Sequence, residues 1–307
     1  MGNTFYFQWE VALMEFIQAH LGDLGVKIAS VITMFGEELV LVAVLGFVYW
    51  SLNKEVGKRV GVNIVMGLTL NPMIKNVALR RRPYFDNQSI KCLKPVDSSA
   101  SIYDIKVQGY SFPSGHTTNS TIAYGTLAHH FSNKAVKIIG VLLPILVGIS
   151  RFCVGVHYPT DVICGWCLGA LVVFLMPWLL TKFRHKAVLY AIIFVICLSG
   201  YFWCTTDDYF TGIGMMAGVF LGILFEEKYV HFDNTRTWWR MILRVIIGGA
   251  IFFALNTALK LPFPEALLKG ETTAAYMIRS VRYCVVMFVE VGLYPMAFRI
   301  LDKKKKA

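Results

Sequence analysis

Charge is what this sequence has least of. Only 16% of its 307 residues are Asp, Glu, Lys or Arg, against about 25% in an ordinary soluble domain. With 56% hydrophobic and 14% aromatic residues, that shortage excludes a disordered chain and an ordinary cytosolic enzyme. A disulfide framework is missing too. The seven cysteines are odd in number, and six of them (Cys153, Cys164, Cys167, Cys197, Cys204, Cys284) lie in or beside apolar runs, with only Cys92 in a polar loop. Cys164 and Cys167 have CxxC spacing but no second Cys or His pair beside them, so they read as packing inside a membrane helix. No basic stretch heads the first 20 residues, so no cleavable signal peptide is expected. Glu10 and Glu15 interrupt the apolar series from Phe5 to Ile17, and residues 1–27 read as an amphipathic segment lying at the membrane interface.

What is present is a set of long apolar runs. A hydrocarbon core about 30 Å thick needs about 20 apolar residues per helix. That ruler predicts an all-α, polytopic membrane helical bundle of about nine transmembrane helices, near 28–50, 60–79, 115–132, 135–153, 162–181, 187–204, 209–225, 241–261 and 281–301. The third is the most polar, because His116 to Thr121 open it. The domain reading is a six-helix core over 28–204, a three-helix extension over 205–302 and a basic tail over 303–307. The net charge of +11 sorts across this plan. Seventeen of the 30 Lys and Arg residues fall on one face and 13 on the other, seven of these between Lys75 and Lys106. Positive-inside asymmetry makes the first face cytoplasmic, placing the N-terminus outside and the C-terminus inside. Nucleic acid is not needed to explain the charge; the tail Lys303–Lys306 reads as an orientation signal and a contact to anionic lipid.

Three short segments put costly polar groups on the predicted extracytoplasmic face. They are Lys75-x6-Arg82-Pro83, then Pro113-Ser114-Gly115-His116, then Ser150-Arg151 followed by His157 and Asp161. Their residue types suit phosphoryl transfer. Lys75, Arg82 and Arg151 supply fixed positive charge, Arg as a planar fork matched to phosphate oxygens. Lys75 and Arg82 share a helical face if the helix persists to Pro83. Ser114 and Gly115 open a helix after a proline, so their amides offer an anion site. Asp161, four residues after His157, is placed to hold one imidazole nitrogen and leave the other to attack, while His116 remains to protonate the departing oxygen.

Together these segments resemble the three signatures of the type 2 phosphatidic acid phosphatase superfamily at every motif position. The resemblance implies a metal-independent helical membrane hydrolase, with no cofactor, working through a phosphohistidine. His157 would be the nucleophile, Asp161 its orienting partner and His116 the general acid; Lys75, Arg82, Ser114, Gly115 and Arg151 would bind the phosphate. Gly36-Glu37-Glu38, Tyr49-Trp50 and Gly57-Lys58-Arg59, with the order of the later helices, make the whole chain similar to sphingosine-1-phosphate phosphatases, although those carry Thr where this chain has Gly115. Glucose-6-phosphatases share the nine-span plan. The expectation is therefore a lipid phosphate phosphatase acting on a long-chain-base phosphate, a polyprenyl diphosphate or a phosphatidic-acid-type lipid. The alternatives are a phosphotransferase to a lipid or sugar acceptor and a sugar phosphatase on the same site. Outside the motifs, Asn71-Pro72 predicts a kink that aims Lys75, and Glu37 and Glu38 read as capping or pairing locally. Glu290, Arg279 and Arg282 read as an internal ion pair or a head-group pocket.

Overall fold

The computed structural model describes residues 2–298, so the predicted basic tail 303–307 and Arg299 lie outside the described residues. The chain is nearly all helix. Among the described residues the long helices are α1 (Gln8–Met34), α2 (Glu38–Phe47), α3 (Lys54–Ala78), α4 (Gly115–His130), α5 (Lys134–Cys153), α6 (Pro159–Lys182), α7 (Lys186–Leu198), α8 (Asp207–Phe225), α9 (Trp238–Ala258) and α10 (Thr273–Phe288). A single β-bridge, Asn3 to Arg80, is the one extended pairing among them.

Every predicted span has a helix, but the membrane test divides them. Among the described residues, five helices are long and apolar enough to cross a bilayer, or six if α1 and α2, bent by 46° at their break, count as one span. The others fall short for identifiable reasons. Helix α4 has 16 residues and opens with hydroxyls and a histidine, and α3 begins with Lys54, Glu55, Lys58 and Arg59. A helix buried among others need not be apolar, since its polar groups find protein partners; in α4, Thr117, Thr118, Asn119, Ser120 and Thr126 are all buried. The N-terminal reading also changes. The stretch assigned to an interfacial segment and the start of the predicted span 28–50 form one helix, α1, distorted at Gly22 and ending at Met34.

Two compact units emerge from the contacts, one of residues up to Leu41 with Leu70–Leu175, the other of Val42–Thr69 with the chain from Met176 on. In the first, α5 starts at Asn133, whose side chain accepts from the amides of Ala135 and Val136. Helices α4 and α6 approach closely where Gly165 and Gly169 face Thr117 and Thr121, a small-residue contact that membrane helices favour because it maximises backbone packing. Cys164 and Cys167 on α6 are free thiols, half-buried and exposed respectively. An apolar cluster of Ala29, Tyr84, Cys153, Val154 and Val156 lies under the loop that joins α5 to α6.

In the second unit, α8 packs along α10. A methyl group added at Gly214 would sit 2.2 Å from the carbonyl oxygen of Ser280. Gly214→Ala is therefore expected to lower stability by about 1–3 kcal/mol, read as a drop in melting temperature in detergent. Gly249→Ala on α9, where an added methyl meets nothing within 4 Å, should melt no lower than the parent. The polar heart of this unit sits where helices widen into π-turns. Tyr49 Oη donates to the Val291 carbonyl at 2.8 Å and Trp50 Nε1 to that of Glu290 at 3.2 Å, taking up carbonyls that a π-turn releases. The expected Arg–Glu pair does not form. Arg279 pairs instead with Asp207 at 2.6 Å, and neither carboxylate oxygen of the buried Glu290 has a hydrogen-bond partner among the described residues.

Candidate active site

All eight predicted site residues belong to the first unit. Lys75 lies on the last turn of α3, and its Nζ is 3.8 Å from the position a Cβ would take on Gly115. Pro72 sits inside α3 without ending it, and the amide of Asn71, one residue before, donates to the Pro113 carbonyl and to Thr118 Oγ1. The shared helical face expected for Lys75 and Arg82 does not exist. Helix α3 ends at Ala78, Leu79 adopts a left-handed conformation (φ 51°) and Arg82 is extended, as a residue before proline prefers. Arg82 reaches the site from this extended stretch. Its guanidinium donates to the carbonyls of Gln108, Gly109 and Val156 at 2.9, 3.1 and 2.9 Å.

The Val156 contact matters because His157 is the next residue. The turn from α5 to α6 needs a glycine at position 155: its φ is +80°, and a Cβ there would lie 2.1 Å from the Lys91 carbonyl oxygen. Val156 N–H closes the turn onto the Arg151 carbonyl at 3.1 Å. Arg151 is buried, with Nη1 donating to Thr33 Oγ1 at 2.7 Å and Nε making no hydrogen bond to protein. Thr33, on α1, is a contributor that the motifs do not reveal.

At the start of α4, the amide of Ser114 does not face the site. It donates to the backbone carbonyl of Asp161 at 3.0 Å, so the amides open to an anion begin at Gly115. Ser114 Oγ accepts from Thr117 Oγ1 at 2.9 Å and keeps its own proton to donate. His116 follows on the first turn and packs against the α1–α2 break, where a Cβ on Gly36 would lie 3.0 Å from the His116 Cβ. The neighbouring Glu37 pairs with Lys94, 57 residues away, at 2.8 Å, rather than locally as expected.

His157 precedes α6, so the one-turn helical relation to Asp161 holds in sequence but not in secondary structure. Nδ1 of His157 lies 3.4 Å from Asp161 Oδ2, both side chains buried. The contact is close but not aligned as a hydrogen bond. Asp161 Oδ2 already accepts from the Tyr158 amide at 2.8 Å, and Oδ1 from Arg80 at 2.7 Å. Arg80 sits inside the first motif at an unspecified position and was not among the expected site residues.

Burial holds the His157 imidazole well below the usual histidine range, and the charges of Arg82, Arg151, Lys75 and His116 push the same way. The sign is that of a group kept neutral in the folded state. The stability it contributes is full above its unfolded value near 6.5 and is lost as pH falls from there towards the folded value. Its neutral form likewise persists below pH 6.5. The acid limb of kcat/KM, corrected for ionisation of the substrate, is expected below that pH; a limb at or above it would contradict the burial argument.

Comparison with known proteins identifies the family of two stretches of the chain. Residues 57–185 match the family described as PAP2 superfamily, and residues 210–306 match PAP2 superfamily phosphatase, transmembrane extension. The undecaprenyl-diphosphatase of Sulfolobus acidocaldarius is 30% identical over 145 residues, which is 47% of this chain and 65% of that protein. Phosphatidylglycerophosphatase B of Bacillus subtilis is 38% identical over 89 residues, 25% of this chain and 44% of that protein. Decaprenylphosphoryl-5-phosphoribose phosphatase of Mycobacterium tuberculosis is 28% identical over 172 residues, 53% of this chain and 86% of that protein. The chain thus spans less than two thirds of the first two relatives. Two matches to one superfamily, core and membrane extension, together cover more than two thirds of the sequence, so the chain is an integral membrane protein that belongs to the PAP2 superfamily.

Proposed function

We propose that the protein is a lipid phosphate phosphatase that hydrolyses a phosphomonoester or diphosphate through a phosphohistidine. The observation that carries the reading is the buried His157, held neutral against Asp161 and ringed by Lys75, Arg82 and Arg151. Nε2 of His157 attacks phosphorus as the bond from phosphorus to the lipid oxygen breaks. His116, which takes up a proton when the negative charge of the bound phosphate offsets Lys75, Arg82 and Arg151, gives that proton to the departing oxygen. Water then attacks the phosphohistidine, His116 takes the water's proton, and the nitrogen–phosphorus bonding pair returns to His157. Lys75, Arg82, Arg151, the Gly115 amide and Ser114 Oγ hold the equatorial oxygens, whose charge grows in the transition state.

Lipid rather than sugar is favoured because the site sits among membrane helices and because the relatives are named for polyprenyl and glycerophospholipid substrates. The charge asymmetry between the two faces supports a site open to the extracytoplasmic side, with the C-terminus cytoplasmic. The test is phosphate release by the purified protein, in EDTA, from lipid monophosphates, lipid diphosphates and glucose 6-phosphate. Turnover of glucose 6-phosphate alone, or transfer without free phosphate, would replace this reading.

A further inference from the structure

Residues 3–10, which the composition assigns to the membrane surface, pack against segments that carry the candidate site. Asn3 pairs with the backbone on both sides of Arg80: its amide donates to Leu79 and its carbonyl accepts from Arg81, at 2.7 and 3.0 Å. Tyr6 stacks on Tyr158, centroids 5.6 Å apart and planes 9° from parallel. Glu10 is fully buried.

Arg80 joins this strap to the site. Its Nη2 lies 2.9 Å from Glu10 Oε2 and its Nη1 2.7 Å from Asp161 Oδ1. Nε donates to the Phe5 carbonyl at 2.8 Å, and the guanidinium lies between the Phe5 and Tyr158 rings. Thr160 completes the frame: its hydroxyl and amide lie 2.6 and 3.0 Å from Glu10 Oε1. With Nη1 also donating to Thr160 Oγ1 at 2.7 Å, four of the five N–H donors of the Arg80 fork are engaged.

We propose that Glu10 is a positioning residue for the nucleophile, acting through Arg80 and Asp161 on His157. The proposal rests on the reading of His157 as nucleophile. Two effects act together. The geometric one is that Arg80 fixes Asp161 Oδ1, leaving Oδ2 beside His157 Nδ1, and Glu10 fixes Arg80. The electrostatic one is that an isolated Arg–Asp pair would cancel the carboxylate next to the imidazole. A second carboxylate on the same guanidinium leaves one net negative charge in the buried group, facing a histidine that becomes positive as it is phosphorylated. A purely structural clamp would have no need of that second charge.

The experiment uses the full chain in detergent and separates positioning from folding. Glu10→Gln removes the charge and keeps one of the two acceptor oxygens, enough for the Thr160 hydroxyl and amide on Oε1. Arg80→Lys keeps the charge but loses the fork. Glu10→Gln is expected to lower kcat by about tenfold and Arg80→Lys by about a hundredfold, the scale of a small misplacement of a reacting group. KM and inhibition by inorganic phosphate should change less than twofold, because the cradle is untouched. Rapid-quench trapping should find slower phosphoenzyme formation. In an Asp161→Asn background, Glu10→Gln should have no further effect, since both act through the same imidazole. Parent-like kcat in a folded Glu10→Gln protein, or losses that add fully to those of Asp161→Asn, would overturn the relay. If Glu10→Gln does not fold, Arg80→Lys decides: a parent-like kcat, or losses in kcat and melting temperature with phosphoenzyme formation unchanged, overturns it equally. Turnover by His157→Ala would instead remove the phosphatase mechanism beneath it, so the two failures are distinguishable.

Discussion

His157→Ala is expected to lower phosphate release by about four orders of magnitude, the scale seen when a catalytic triad loses a member. The loss should appear in kcat. The cationic cradle is assembled by contacts that do not involve the His157 side chain: Arg82 on three backbone carbonyls, Arg151 on Thr33 and Lys75 beside Gly115. Substrate should therefore still bind, and KM should move by severalfold at most. Folding should survive as well, because Nδ1 makes no hydrogen bond that alanine would orphan. Removing a neutral buried imidazole should also lessen the loss of stability below pH 6.5. Release within tenfold of the parent would mean that phosphorus is attacked by another group.

The second large effect is expected for His116→Ala, about a thousandfold in kcat on a lipid monophosphate, within the range of general acid catalysis. This loss should depend on the leaving group. An alcohol must be protonated as it departs, whereas a phenolate, or the lipid monophosphate expelled from a diphosphate, leaves readily as an anion. The variant should retain most of its activity on p-nitrophenyl phosphate and lose less on a polyprenyl diphosphate than on a monoester. An equal loss on all three would assign His116 to phosphate binding instead.

Most of the chemistry was legible because it is written in three short runs, where neighbours in sequence remain neighbours in space. Arg151, His157 and Asp161 lie within eleven residues and bracket one glycine turn. What could not be read is whatever depends on a distant partner. The Ser114 amide is an open donor in the motif but meets the Asp161 carbonyl only after α4 and α6 pack. The end of α3 at Ala78 follows from the left-handed Leu79 and the pairing of Asn3 with the next residues, neither of which has a compositional mark. Glu10 registered only as an interruption of an apolar pattern. An acid in an apolar segment with three consecutive arginines elsewhere was a usable signal, but 70 residues separate Glu10 from its partner Arg80. The spans were legible as helices and less so as lipid-facing ones, because hydropathy does not report which polar faces are covered by protein.

The strap that ties Glu10 to Arg80 and Asp161 also has a consequence for biogenesis. Glu10 leaves the ribosome 70 residues before Arg80, and Arg80 emerges 81 residues before Asp161. At about 5–20 residues per second, each interval lasts several seconds. An acid destined for complete burial must wait near the membrane for its arginine, and both are synthesised before Asp161. The Glu10–Arg80–Asp161 group is therefore complete only when α6 is inserted.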